Sequence, residues 1–319
     1  MRVMVTGGAG FIGSHLCEAL LEREHEICGL DNFDPYYDRG IKERNLAGCR
    51  EHRNFEFQEL DILDWESLKK LARRFRPEVV VHLAALAGVQ PSLDRPKKYE
   101  EVNVRGTMNI MEMCLEAGCS RVLSASSSSV YGDASRVPFD EADPCDRPVS
   151  PYAASKRSAE LMAHTYHHIH GLDVANLRFF TVYGPRQRPE MAIAKFTRLI
   201  ASERPVTLYG DGSSSRDYTF VSDIVSGVVS LVERRLGGYR IYNLGDSSPV
   251  RLSDLVTVIE HEVGRKARIQ YGEARPGDVR RTWAAVDRAK QDLDYHPKVS
   301  IEQGVGRYVA WAKKIGAIS

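Results

Sequence analysis

The 319-residue chain has no apolar run near the roughly 20 residues that a membrane-spanning helix requires. Its longest candidate, Val79 to Val89, is short and carries His82. Net charge is also lacking. The 44 Lys and Arg stand against 43 Asp and Glu, a balance of +1, which argues against a nucleic-acid partner held by bulk positive charge. The amino terminus passes through a single Arg straight into an apolar strand, with no cleavage site, so no secretory signal is expected. None of the six cysteines (Cys17, Cys28, Cys49, Cys114, Cys119, Cys145) forms a Cys-x-x-Cys pair, and their spacing fits no zinc pattern. Reduced, mostly buried thiols in a cytoplasmic protein are expected. Repeats, low-complexity tracts and linkers are missing too. Disorder is excluded for most of the chain by a hydrophobic content of 43%.

What is present is a regular alternation. Short apolar runs at Arg2 to Thr6, Glu26 to Leu30, Phe55 to Leu60, Val79 to Leu83, Arg121 to Ser126 and Asp173 to Phe180 predict strands. Amphipathic stretches between them predict helices at Phe11 to about Glu24, Trp65 to Phe75 and Tyr99 to Ala117. Another starts at Ser150-Pro151, with Ser as N-cap and Pro in the first turn, and runs to Gly171. Asn32 to Arg50, polar and holding Pro35 and Gly40, is expected to be a loop with one helical turn. The pattern is that of an α/β fold, a Rossmann-type doubly wound parallel sheet. The less regular second half, with helices expected at Ser222 to Arg235 and Ser253 to Val263, predicts a smaller C-terminal α/β lobe. The expected division gives 1–180, rejoined by about 216–240, to dinucleotide binding, and 181–215 with 241–319 to the lobe.

Gly7-x-x-Gly10-x-x-Gly13 falls between the first strand and the first helix. Glycine suits a tight turn that brings backbone against a pyrophosphate, and the helix start supplies free N–H groups. Asp31 ends the second strand, where a carboxylate can bond both adenosine ribose hydroxyls and repel a 2′-phosphate, favouring NAD over NADP. Turn glycines and a strand-end Asp in a plain α/β domain would look the same. Asp61-Ile62 after the third strand suits the adenine edge, though Asp61 reads equally well as a helix N-cap.

Tyr152 and Lys156 form a Tyr-x-x-x-Lys pair, four residues apart and therefore on one helix face. Alone the pair proves little in a chain with 14 Tyr. Its setting adds weight, because Ser126 to Ser129 follow the fifth strand at the carboxyl edge where such sheets bind ligands. A phenol near pKa 10 is a poor base at pH 7, and a nearby ammonium lowers it. A serine hydroxyl can orient a substrate hydroxyl.

With these residues in place, the chain resembles the extended short-chain dehydrogenases/reductases, in the nucleotide-sugar epimerase branch. The resemblance runs along nearly the whole length, through Thr6-Gly-Gly-Ala-Gly-Phe-Ile-Gly13, His82-Leu-Ala-Ala85, Asn103, Ser126-Ser-Ser-Ser-Val-Tyr-Gly132, Tyr152 with Lys156, Arg178-Phe-Phe-Thr-Val-Tyr-Gly-Pro185, Tyr209-Gly-Asp-Gly212, Arg216-Asp-Tyr218 and Arg275-Pro-Gly-Asp278. It implies a catalytic Ser127, Tyr152 and Lys156. It implies NAD contacts from Gly7, Gly10, Phe11, Ile12, Gly13, Asp31, Asn32, Asp61, Ile62, Leu83, Ala84 and Ala85 together with Tyr152 and Lys156. Ser127, Ser128, Ser129, Thr181, Arg188, Arg216, Arg275 and Asp278 would meet a UDP-sugar. Dehydratases of the family carry an Asp-Glu pair after the catalytic Ser or Thr, and decarboxylases a Glu. This chain has Ser128 and Ser129 there, which favours simple epimerisation at C4.

The stretches Arg178 to Ala192 and Asp31 to Asp38 are similar to those of UDP-glucuronate 4-epimerases. The hydroxyls of Ser127, Ser128, Ser129 and Thr181 would then hold a C5 carboxylate without a fixed cation, although the serines also read as a tight strand-to-loop turn. Thr282 stands near where galactose epimerases carry a bulky Tyr, so UDP-glucose and UDP-N-acetylglucosamine stay open as substrates, and dehydration less so. Arg186, Arg188, Arg216, Arg275, Arg280 and Arg281 are expected to rim one cleft around a small diphosphate. His164, His167, His168 and His170 suit a solvated or dimer-facing helix surface rather than a metal site. The resemblance also implies a homodimer through a four-helix bundle, with no nucleic-acid or membrane partner.

Overall fold

The computed structural model describes residues 1–134 and 136–318. Its strands are β1 (Arg2–Thr6), β2 (Glu26–Asp31), β3 (Phe55–Glu59), β4 (Val79–His82), β5 (Arg121–Ser127), β6 (Asp173–Phe179), β7 (Thr181–Tyr183), β8 (Val206–Tyr209), β9 (Ser215–Phe220), β10 (Tyr239–Leu244), β11 (Pro249–Arg251) and β12 (Ile269–Gly272). Its α-helices are α1 (Phe11–Leu21), α2 (Arg39–Arg50), α3 (Trp65–Phe75), α4 (Val89–Asp94), α5 (Pro96–Glu100), α6 (Gly106–Ala117), α7 (Pro151–His170), α8 (Ala192–Ala201), α9 (Val221–Glu233), α10 (Leu252–Val263), α11 (Asp287–Leu293) and α12 (Ile301–Lys314).

Seven strands build the central sheet in the order β10-β6-β5-β4-β1-β2-β3, and every pair is parallel. A sheet covered on both faces reads as continuous apolar runs, and Val79, Val80 and Val81 of β4 are fully buried. The order reverses between β1 and β4, so the carboxyl ends of these strands open onto one crevice. The lobe holds a three-stranded sheet, β11-β9-β7, and a two-stranded one, β12-β8. β9 pairs with lobe strands, whereas β10 returns to the main sheet beside β6. None of the described helices is long and apolar enough to cross a membrane.

Two elements differ from expectation. The segment expected to be mostly loop, 32–50, carries the three-turn helix α2. The Asp38 side chain accepts from the Ile41 amide at 3.2 Å and starts it, and Lys42, Asn45, Leu46 and Cys49 form its buried face. Two buried polar residues on that face hide its apolar periodicity. The single helix expected at 99–117 is instead α5, a π-helical turn over Glu101–Arg105, and α6. The π turn carries the buried Asn103, whose side chain both donates to the Leu86 carbonyl (2.9 Å) and accepts from the Leu86 amide (2.8 Å). Such one-turn irregularities concentrate where a helix must aim a functional side chain.

Candidate active site

The site starts at the β1–α1 turn. Gly7 has φ +70°, and a Cβ there would lie 2.9 Å from the Ala84 amide nitrogen, while a Cβ on Gly13 would collide with the Gly7 carbonyl oxygen. The three layers are therefore packed to backbone contact, which only glycine permits. No side chain caps the start of α1 at Gly10, so the first-turn amides remain free for an anion. Thr6 Oγ1 accepts from the amides of Leu83 (3.1 Å) and Ala84 (3.0 Å) and sits 2.8 Å from His82 Nδ1. His82 Nε2 reaches Thr107 Oγ1 at 3.1 Å. Burial, and then the charge of Lys156, hold the His82 pKa down at about 3, so this imidazole is a neutral strut.

At the far end, Asp31 Oδ1 accepts from the Phe33 amide (2.9 Å) and from Lys42 Nζ (3.1 Å). Asn32 Nδ2 donates to Asp61 Oδ2 at 2.9 Å, and Asp61 Oδ1 accepts from the Leu63 amide at 2.8 Å. These contacts pin the ends of β2 and β3 as one wall of the cleft.

The reactive end is built by β5 and α7. Ser150 caps α7 by accepting from the Ala153 amide at 3.2 Å, and Pro151 takes the first turn. That start places Tyr152 and Lys156 one turn apart. Lys156 is buried, and its Nζ donates to the Ala125 carbonyl at 2.9 Å. Burial lowers its pKa to about 8 although Glu160 pulls the other way. Ser127 ends β5, and its hydroxyl accepts from the Ser129 amide at 3.1 Å. Burial pushes the Tyr152 phenol up, opposed by a hydrogen bond with Ser127 and by the positive charge of Arg188.

A cleft of about 320 Å³ joins these parts. Its wall holds Gly7, Gly10, Phe11, Ile12, Gly13, Asp31, Asn32, Asp61, Ile62, Leu83, Ala84, Ala85, Ser127, Tyr152, Lys156, Thr181 and Arg188. Ser128 and Ser129 lie behind this wall in a 3₁₀ turn, Ser128 buried and the Ser129 hydroxyl 3.1 Å from that of Ser127. Arg216, Arg275 and Asp278 stand on the lobe, beyond the wall. Arg216 NH1 donates to the Ser215 carbonyl (2.9 Å), Arg275 Cζ stands over the Tyr209 ring 3.3 Å from its centroid, and Asp278 meets Gln90 Nε2 at 3.3 Å. Of the other basic residues expected to rim the cleft, Arg186 instead pairs with Glu18 of α1 at 2.7 Å.

Sequence reasoning passed over Tyr36, Tyr37 and Lys42, which also line the cleft. Arg188 packs over the Tyr36 ring at 5.4 Å and Lys42 over the Tyr37 ring at 5.1 Å. The aromatic pair inside the Asp31 to Asp38 stretch was the available signal, and Lys42 needed α2 to be recognised. Among the histidines of α7, His164 packs edge-on against Tyr239 at 4.9 Å. The described residues contain no cluster of three metal-ligating side chains.

A parallel sheet with a glycine turn, a strand-end carboxylate and a Ser-Tyr-Lys set on one cleft suits a dinucleotide-dependent enzyme that moves hydride at a substrate hydroxyl. Comparison with known proteins narrows the class. A family model described as GDP-mannose 4,6 dehydratase matches residues 4–308. A UDP-glucuronate 4-epimerase of Thermodesulfobacterium geofontis is 39% identical over 312 residues, spanning 98% of this chain and 96% of that protein. The crystal structure of UDP-glucuronic acid 4-epimerase from Bacillus cereus, in complex with UDP-glucuronic acid and NAD, superposes with a TM-score of 0.93 at 33% identity, covering 99% of this chain and all of that one (100%). UDP-glucose 4-epimerase from Thermotoga maritima, with UDP-glucose, superposes with a TM-score of 0.91 at 32% identity, covering 99% of each chain. The chain belongs to the nucleotide-sugar epimerase and dehydratase family of extended short-chain dehydrogenases/reductases.

Proposed function

We propose that the protein is an NAD-dependent UDP-glucuronate 4-epimerase, interconverting UDP-glucuronate and UDP-galacturonate. The observation that carries this reading is local. Ser127, Tyr152 and Lys156 meet at one cleft, and the two residues after Ser127 are hydroxyls rather than the acids that elimination needs. The glycine turn, the uncapped start of α1 and the Asp31 wall fit a dinucleotide, and Tyr152 and Lys156 would flank its nicotinamide end. NAD, when bound, supplies reversible hydride acceptance at C4. Tyr152 takes and returns the C4 hydroxyl proton. Ser127 orients that hydroxyl, and Lys156 stabilises the phenolate. Thr181 and Ser127 face the C5 carboxylate from the cleft wall with neutral donors, Ser128 and Ser129 back Ser127 from behind that wall, and Arg188 adds positive charge. Neutral donors let a 4-keto sugar turn over without breaking a bidentate ion pair.

The remaining assignments belong to the same proposal. Arg216 and Arg275 approach the nucleotide diphosphate from the lobe, and Asp278 belongs to the same substrate-binding side. The division expected from sequence, 1–180 with about 216–240 for NAD and 181–215 with 241–319 for the nucleotide sugar, is adjusted at two strands: the pairing of β9 with β7 and β11 supports giving Ser215–Phe220 to the sugar unit, and the pairing of β10 with β6 supports extending the NAD unit to Leu244. A homodimer forms through the helices 99–117 and 151–170. Leu161 (53% exposed) and Ile169 (65% exposed), two turns apart on α7, support that face. A cytoplasmic setting agrees with six cysteines that stand unpaired.

Separate incubations with UDP-glucuronate, UDP-glucose and UDP-N-acetylglucosamine, with products resolved by chromatography, test the substrate. Turnover of UDP-glucuronate to the C4 epimer is expected. Good turnover of UDP-glucose with UDP-glucuronate untouched would establish the glucose reading instead.

A further inference from the structure

Beneath the catalytic strand end lies an ion pair that the mechanism above does not use. Glu160 is 1% exposed and Arg178 fully buried. Arg178 Nε and NH2 each donate to the Glu160 carboxylate at 2.9 Å, and Arg157 NH1 adds a third contact at 2.9 Å. Ser126 Oγ donates to the same carboxylate at 2.6 Å. Arg178 NH1 also donates to the Tyr131 hydroxyl at 2.9 Å, which in turn donates to Asn243 Oδ1 at 2.7 Å. A buried pair of this kind costs desolvation that an apolar substitute would avoid, so its presence calls for a role beyond stability.

We propose that Glu160 is a positioning residue of the proton machinery, holding the end of β5 in register with α7 and keeping Lys156 cationic. The geometry is specific. Glu160 lies one helical turn beyond Lys156, on the same face of α7. The two side chains grip consecutive residues of β5, Lys156 at the Ala125 carbonyl and Glu160 at the Ser126 hydroxyl. Ser127, next in line, is thereby presented to Tyr152. The carboxylate charge opposes the effect of burial on Lys156. Arg178 and the hydrogen bonds from Ser126 and Arg157 in turn keep Glu160 ionised, its pKa below the usual range despite burial.

The charged and titratable groups around this corner are few. His82 faces Lys156 from β4 and stays neutral. Arg178 reaches Glu160 from β6, and Arg157 from α7 itself. The Tyr239 hydroxyl, from β10, donates to the Glu160 backbone carbonyl at 3.1 Å. Cys145 lies beside Arg178 and Glu160 with its thiol pushed up to about 11 by burial. Tyr152 stands one turn before Lys156.

The assignment rests on the reading of Lys156 as part of the proton machinery, but its main test needs no substrate. In protein carrying ¹⁵N-lysine, with NAD bound, the Lys156 ammonium is assigned by its loss in Lys156→Met and titrated by NMR. Glu160→Gln should lower the midpoint by about one pH unit or more, because a nearby carboxylate favours the cation. Arg157→Ala should raise it, because a cation that partly neutralises Glu160 is gone. Arg157 is partly exposed, so this variant folds even if Glu160→Gln does not. The alkaline limb of kcat should follow in the same two directions. A purely structural role predicts lower melting temperatures with unmoved midpoints. Midpoints that stay put, that move in the same direction in both variants, or that move while the kcat limb does not, would each overturn the proposal. Failure of the sugar assignment would leave the NMR titration legible.

Discussion

Replacing Lys156 by Met should abolish turnover and stabilise the protein. Lys156 is 7% exposed, and burial brings its pKa from the ordinary 10.5 to about 8. At 1.36 kcal/mol per pH unit, holding the cation there costs about 3 kcal/mol at neutral pH. Losing the hydrogen bond to the Ala125 carbonyl returns about 1 kcal/mol of that. The net gain for Lys156→Met is about 2 kcal/mol, which for a chain of this length is a rise of about 3 °C in melting temperature. The sign with pH follows from the depressed pKa. Between about 8 and 10.5 the unfolded chain binds a proton that the folded one does not, so wild-type stability gains on the variant as pH rises through that window. The assay is equilibrium urea unfolding without NAD at pH 7 and pH 10.5. A variant less stable than wild type at pH 7, or an advantage independent of pH, would refute the reasoning. A buried charge that weakens its own fold is expected where activity requires it.

Other consequences are simpler. Gly13→Ala should weaken NAD binding at least about tenfold, since its methyl group lands on the Gly7 carbonyl and must displace the turn that receives the diphosphate; titration by protein fluorescence reads this. Tyr152→Phe should lower kcat by about 10²- to 10⁴-fold, the range for a positioned acid–base group, with the NAD dissociation constant unchanged. Leu161→Glu combined with Ile169→Glu should shift the protein to monomer in analytical ultracentrifugation, while leaving the sheet intact because both side chains are exposed.

The sheet was legible because buried parallel strands announce themselves as β-branched runs, as at Val79 to Val81, and because Gly7, Gly10 and Gly13 sit where backbone contact leaves no alternative. Asp31 and Asp61, expected beside that turn, do line the same cleft. Tyr152 and Lys156 were found through spacing, which a helix converts directly into adjacency. Less visible were features whose cause lies far away in sequence. Helix α2 hides because Lys42 and Asn45 face inward, Lys42 to reach Asp31 and Asn45 to donate to the Ala9 carbonyl at 3.1 Å. The π turn at Glu101–Arg105 reflects the demand of Leu86 for Asn103, a contact no local pattern encodes. The Glu160–Arg178 pair spans α7 and β6, and no local pattern joins a helix carboxylate to a strand guanidinium. Of the arginines expected around one cleft, Arg188 lines it, whereas Arg275 lies over Tyr209 and Arg186 pairs with Glu18, each placed by a partner distant in sequence.

In the proposed reaction hydride leaves C4 and returns to C4 while the proton passes through Tyr152. UDP-glucuronate carrying deuterium at C4, incubated in ordinary water and followed by mass spectrometry and proton NMR, tests it most directly. UDP-galacturonate that retains the deuterium at C4 is expected. Loss of the label to solvent, or no C4 epimer from this substrate, would contradict it.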